Sequence, residues 1–141
     1  MFSEEFFVSC EKLSLAARTE ENESKLLALS KPESFSLYVG IPFCPSRCSY
    51  CSFVMSSVER AKKLIEPYVG LLCEEIKATA EIASELGLRL ESVYFGGGTP
   101  TTLNAEQLNT VLTAVRENFD LSTSREFTVE AGRPDTIDEA R

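Results

Sequence analysis

Cys44, Cys48 and Cys51 stand in the order CxxxCxxC, three thiols within eight residues of a 141-residue chain. Thiolates at that spacing can wrap a soft metal or an iron–sulfur cubane, because one short loop delivers all of them. A structural zinc ion wants four protein donors. The chain has no histidine, and its two remaining cysteines are Cys10, in the distant first segment, and Cys73, in an expected helix. Zinc therefore needs one of these or a donor from outside the chain. A four-iron cubane on three thiolates leaves one iron open to a small molecule. Three thiols in one loop argue against ordinary buried cysteines, and a total of five argues against a secreted disulfide framework.

Three further groups could do chemistry. Gly96, Gly97 and Gly98, followed by Thr99 and Pro100, lack side chains that would keep a ligand away from the backbone. No GlyLysSer/Thr follows them, so this is not a phosphate-binding P-loop. Glu130, near the end of an expected strand, lies on the face opposite Phe127 and Val129. Arg133, in GlyArgProAsp, reads first as a salt bridge and second as a contact for an anionic substrate. Without histidine, no mechanism here uses an imidazole base or ligand.

These groups must be positioned by strands and helices. Short β-branched and aromatic runs at 36–42, 91–95 and 126–131 predict three strands, the first leading into the cysteines and the second into the glycines. Between the first two, Tyr68, Leu71, Leu72, Ile76, Thr79, Ala83 and Leu86 recur at helical spacing, with Pro67 in the first turn and Gly87 as the stop. Between the second and third, Asn104 and Gln107 form an N-terminal capping pair, and Leu108, Val111, Leu112, Val115 and Phe119 mark a buried face. Residues 7–29 predict one or two surface helices, interrupted or exposed by the polar stretch 19–25, whose acidic run at 20–23 is a solvated face. A breaker cluster at 30–34 divides an N-terminal helical segment (1–34) from a core domain (35–141). Thr136 onward predicts the start of another helix.

Strands alternating with helices imply an α/β fold with a parallel sheet. Three such strands have open edges, so the expectation is the N-terminal part of a larger enzyme, inactive in isolation. With 22 acidic against 14 basic residues, a net charge of −8 argues against a nucleic-acid surface. There is no apolar run of the roughly 20 residues that a membrane span needs, and the acidic start is unlike a secretory signal. The chain is expected in the cytoplasm.

In order, LeuTyrValGlyIleProPheCys, CxxxCxTyrCys, TyrPheGlyGlyGlyThrPro and ThrValGluAla cover Tyr38 to about Asp135. This series resembles the radical S-adenosylmethionine (SAM) superfamily, and within it the oxygen-independent coproporphyrinogen III oxidase (coproporphyrinogen dehydrogenase)-like family. The resemblance implies part of a partial (β/α)6 barrel in which Cys44, Cys48 and Cys51 hold a 4Fe-4S cluster whose open iron chelates SAM. It implies one-electron cleavage of SAM to methionine and a 5′-deoxyadenosyl radical, with Tyr38, Tyr50, Gly97, Gly98, Thr99 and Glu130 as SAM contacts. By the same resemblance the substrate is a porphyrinogen and the partner a one-electron donor of the flavodoxin or ferredoxin type. The implied reaction is oxidative decarboxylation of coproporphyrinogen III to protoporphyrinogen IX in haem synthesis. The alternatives are a haem-binding chaperone on the same scaffold and a radical SAM enzyme with another substrate. The chain departs from some relatives after the last cluster ligand, where Ser52 and Phe53 stand in place of a further cysteine.

Overall fold

Phe35, Leu37, Val39 and Ile41 alternate with Ser36, Tyr38 and Gly40, which gives the first strand one apolar and one polar face. The strand belongs to a computed structural model that describes residues 8–53 and 55–137. The elements follow as α1 (Cys10–Leu27), β1 (Ser34–Ile41), β2 (Phe43–Cys44), β3 (Ser56–Ser57), α2 (Val58–Glu85), β4 (Arg89–Gly97), α3 (Ala105–Asn118) and β5 (Glu126–Val129). Short 3-10 turns at Pro100–Thr102 and Pro134–Thr136 lie at the ends of β4 and β5. The chain divides into two units, Met1–Pro32 and Glu33–Arg141.

In the larger unit the sheet order is β1-β4-β5, and both pairings are parallel, as the strand–helix alternation predicts. Tyr38 lies beside Tyr94 and Gly40 beside Gly96 in the β1–β4 register. The apolar face of the sheet is covered by two helices. From α2, Ala61, Ile65, Val69, Leu72, Ile76, Ala80 and Ala83 are buried at steps of three and four; from α3, Leu108, Val111 and Val115. They join Val39, Ile41, Val93 and Phe95 in one core. The opposite face carries Ser36, Tyr38, Ser92, Tyr94, Glu126 and Thr128, and neither helix of the same unit covers it; Ser92 donates to Ser36 at 2.8 Å across it. In a parallel barrel that face is the interior.

One sequence expectation is corrected. Pro67 does not open its helix: α2 begins at Val58 and carries Pro67 in its interior. A proline there costs about 3 kcal/mol in a lost hydrogen bond and a carbonyl clash. Burial of Ile65, Val69, Leu72 and Ile76, at roughly 1.5–3 kcal/mol each, outweighs it. Of the two outcomes expected for the polar stretch 19–25, it exposes the first helix and does not interrupt it. It is helical throughout and exposed, supported by a Lys25–Glu21 pair at 2.7 Å one turn apart and by Ser9, whose hydroxyl accepts from the Lys12 amide at 3.3 Å.

Other end signals hold. Asn104 and Gln107 form a reciprocal capping box, with the Gln107 amide at 2.8 Å from Asn104 Oδ1. Gly87, at φ +66°, ends α2: its amide donates to the Ser84 carbonyl, and that of Leu88 to the Ala83 carbonyl. The helix expected from Thr136 falls largely on residues 138–141, outside the described residues. No helix among the described residues is long and apolar enough to cross a membrane.

Candidate cluster and cofactor site

Pro42 ends β1 because it has no amide to continue the ladder, and the chain turns into β2. There Phe43 and Cys44 pair in parallel with Ser56 and Ser57 of β3, and the Ser56 amide donates to the Pro42 carbonyl at 2.8 Å. This two-residue pairing closes the base of the cysteine loop. Inside it, the Cys51 amide donates to the Cys48 carbonyl at 3.1 Å, and Arg47 Nη2 donates to the Cys51 carbonyl at 3.3 Å. Cys44 is buried; Cys48 and Cys51 are half-buried.

The glycine loop packs directly on that segment. The Gly98 amide donates to the Ile41 carbonyl at 2.7 Å, and the Thr99 amide to the Phe43 carbonyl at 2.9 Å. Thr99 Oγ1 lies 3.3 Å from Cys44 Sγ. A methyl group at Gly98 would stand 2.6 Å from the Phe43 carbonyl oxygen and 3.0 Å from Cys44 Sγ. Gly97 adopts φ +105°, a conformation that favours glycine. The absence of side chains thus lets the β4 exit approach the cysteine segment, backbone to backbone.

From the third strand, the Glu130 amide donates to the Phe95 carbonyl at 3.0 Å, so its side chain sits at the end of β4 as well as β5. Glu130 Oε1 accepts from the Tyr94 hydroxyl at 2.6 Å. That hydrogen bond, more than any other cause, holds the Tyr94 phenol above its ordinary pKa. Three residues further, Arg133 is bidentate to Asp135 and reaches across to Ser46 and to Cys48 Sγ. The turn behind it is anchored by Thr101 and Thr136, whose hydroxyls meet at 2.6 Å.

Together these segments line a cavity of about 500 Å³ at the C-terminal end of the parallel strands. Cys44, Cys48, Cys51, Tyr50, Gly97, Gly98, Thr99 and Glu130 all face it, although they come from three separate stretches of chain. Its size is that of a small-molecule site. Tyr50 lies at the rim, 88% exposed, with its phenol held above the ordinary pKa chiefly by a hydrogen bond with Cys48.

Tyr38 is not among the residues that line this cavity: its ring stacks on Tyr94 with centroids 6.0 Å apart, over Gly96. Cys73 packs against the core from α2, its thiol pushed up by burial. Cys10 opens α1 and is exposed. Sequence reasoning missed Tyr94 as the partner of Glu130, although period-two alternation puts both on the polar face. It also missed the second half of Arg133: the salt bridge with Asp135 is present, and the same guanidinium ties the third strand to the cysteine loop.

Among the described residues, no three cysteine, aspartate or glutamate side chains gather tightly enough for a single metal ion. Zinc needs its donors about 2.0–2.3 Å from one point, whereas a cubane takes each thiolate on a different iron. Three thiols spread around one cavity, with bare glycine backbone beside them, fit the cluster. The sequence profile of the Radical SAM superfamily matches residues 38–139. The chain belongs to that superfamily. Its cofactors are accordingly a 4Fe-4S cluster and SAM, and the parallel α/β unit is a piece of the radical SAM fold.

The coproporphyrinogen III oxidase HemN from Escherichia coli, a radical SAM enzyme of known structure, superposes with a TM-score of 0.55 at 33% identity, covering 67% of this chain and 21% of that one. An oxygen-independent coproporphyrinogen-III oxidase-like protein, HemZ of Bacillus subtilis, is 37% identical over 77% of this chain and 22% of its own length. The heme chaperone HemW of Lactococcus lactis is 42% identical over 79% of this chain and 27% of its own length. The chain therefore spans about a quarter of the length of these relatives.

Proposed function

We propose that Cys44, Cys48 and Cys51 hold the 4Fe-4S cluster and that the cavity they share with Glu130 receives SAM, as part of an oxidoreductase that decarboxylates coproporphyrinogen III to protoporphyrinogen IX without oxygen. The observation that carries the site assignment is the convergence of three thiols, the glycine backbone and one carboxylate on a single cavity. The likeness to HemN and HemZ supports the substrate. When bound, the cofactor pair supplies one-electron cleavage of SAM and a 5′-deoxyadenosyl radical that can take hydrogen from a propionate carbon. A one-electron donor of the flavodoxin or ferredoxin type supplies the electron that cleaves SAM, and a separate one-electron acceptor takes the electron released as each propionate loses carbon dioxide.

The chain's own residues bind and orient. Glu130, its Oε1 fixed by Tyr94, offers a carboxylate to the ammonium and sulfonium of SAM in a site where an unpaired charge is costly. Gly97 and Gly98 leave room for the methionyl part, Thr99 adds a hydroxyl beside Cys44, and Tyr50 shields the rim. Tyr38 supports this arrangement through its stack on Tyr94. Hydrogen abstraction replaces acid–base work, so no general base is asked of these residues. The domain division at 1–34 and 35–141 belongs to the same reading.

The test is anaerobic reconstitution of the whole protein, followed by iron and sulfide analysis and assay of vinyl product with SAM and a reductant. Serine at Cys44, Cys48 or Cys51 is expected to abolish cluster uptake, and serine at Cys73 to leave it intact. Zinc without iron or sulfide in the wild type rejects the site assignment. The 42% identity to HemW favours a second reading, a haem-binding chaperone; haem binding with no product formed selects it over the oxidase.

A further inference from the structure

Arg133 places a fixed cation against one of the three cysteine sulfurs. Its Nε and Nη2 donate to the two carboxylate oxygens of Asp135 at 3.0 and 2.8 Å. Nη2 also donates to Ser46 Oγ at 3.1 Å and Nη1 to the Ser46 carbonyl at 3.3 Å. Nη1 then points at Cys48 Sγ, 3.7 Å away. Four of these five contacts do not involve the sulfur, so the guanidinium holds its place whether Cys48 is a thiol or a cluster ligand. The backbone that carries it is set by Pro134 and by Thr136 Oγ1, which donates to the Arg133 carbonyl at 2.8 Å.

We propose that Arg133 tunes the cluster: it donates an N–H to the ligand sulfur of Cys48 and raises the cluster's reduction potential, as a positioning residue rather than a catalytic one. This rests on the cluster reading above. Reduction adds one negative charge to the cubane and its thiolates, and a hydrogen bond and a cation at a ligand sulfur favour the more negative state. Asp135 opposes this with its own charge, yet it is the more solvated partner, 55% exposed against 24% for Arg133. Its field is therefore the more strongly screened, while the N–H dipole of Nη1 acts on the sulfur directly. Arginine suits the task because its rigid fork can bind a carboxylate with one edge and present another N–H elsewhere.

The experiment is a redox titration of the anaerobically reconstituted protein with dithionite and mediators, followed by electron paramagnetic resonance, for wild type, Arg133→Gln and Arg133→Lys. Iron and sulfide are measured for each. At a fixed solution potential, Arg133→Gln is expected to lower the ratio of reduced to oxidised cluster about tenfold, equivalent to 59 mV for a one-electron couple. Arg133→Lys keeps the charge on a flexible stem and is expected to stay within about threefold of wild type. An unchanged ratio in Arg133→Gln with a full cluster overturns the proposal, as does a lysine variant shifted as far as the glutamine one. Loss of the cluster from both variants while wild type retains it also overturns it, since Arg133 is then a tether for the loop. Absence of the cluster from wild type is a different result, which rejects the cluster reading itself.

Discussion

Replacing Gly98 by alanine probes the joint between the glycine and cysteine segments. The added methyl would meet the Phe43 carbonyl oxygen at 2.6 Å, the Ile41 carbonyl oxygen at 3.0 Å and Cys44 Sγ at 3.0 Å. Two of those three atoms are backbone, one in β1 and one in β2, and cannot swing aside as a side chain tip could. Relief requires the two segments to separate, which strains the Gly98–Ile41 and Thr99–Phe43 hydrogen bonds together. Overpacking of a tight site costs typically 1–3 kcal/mol, and with backbone on the far side we expect the upper end, about 3 kcal/mol. The same alanine scan supplies its controls. A methyl at Gly132 or Gly70 meets nothing within 4 Å, and Gly70→Ala, inside α2, is expected to stabilise by roughly 0.5–1 kcal/mol. The chain has four tyrosines and no tryptophan, and all four tyrosines lie in the unit Glu33–Arg141. Tyrosine fluorescence during denaturant unfolding therefore reports on that unit. Displacement of Cys44 should also lower cluster uptake in Gly98→Ala. A Gly98→Ala midpoint equal to wild type would refute the reasoning, because it would mean that the two segments do not touch as described.

Glu130→Gln removes the carboxylate that keeps the Tyr94 phenol protonated, so Tyr94 is expected to ionise at lower pH; phenolate absorbance during an alkaline titration reads this directly. In wild type the folded phenol ionises above its unfolded value, so the bond's contribution to stability is complete below the ordinary tyrosine range and is lost as pH rises through the raised one. Coincident alkaline stability profiles for wild type and Tyr94→Phe would contradict it. Asn104→Ala removes the side-chain acceptor of the Gln107 amide, one half of the capping box, and should cost about 1 kcal/mol, seen as a lower denaturation midpoint without a change in cluster content.

Local chemistry was legible in the chain wherever a short run of residues settles it. CxxxCxxC announces a thiolate site from spacing alone. The capping box and the Gly87 stop are written in one or two residues, because a cap is satisfied within a single turn. The alternation in β1 shows which residues face the helices and which face the opposite side. Pro67 was misread because a proline preference describes an average helix, whereas the buried stripe from Ala61 to Ala83 extends α2 through it. The β2–β3 pairing was invisible, since two residues per strand leave no periodicity to detect.

The sequence by itself determined the strand–helix order, the spacing of the three thiols and the family, because each depends on residues close together in the chain or on motifs in a recognisable order. Only the tertiary structure decided which distant groups meet. It put Glu130 against Tyr94, Arg133 against Cys48 and Gly98 against Cys44, and it stacked Tyr38 on Tyr94. Those contacts follow from parallel register and from the close approach of two backbones. Both are set by the packing of whole strands, which no local pattern encodes.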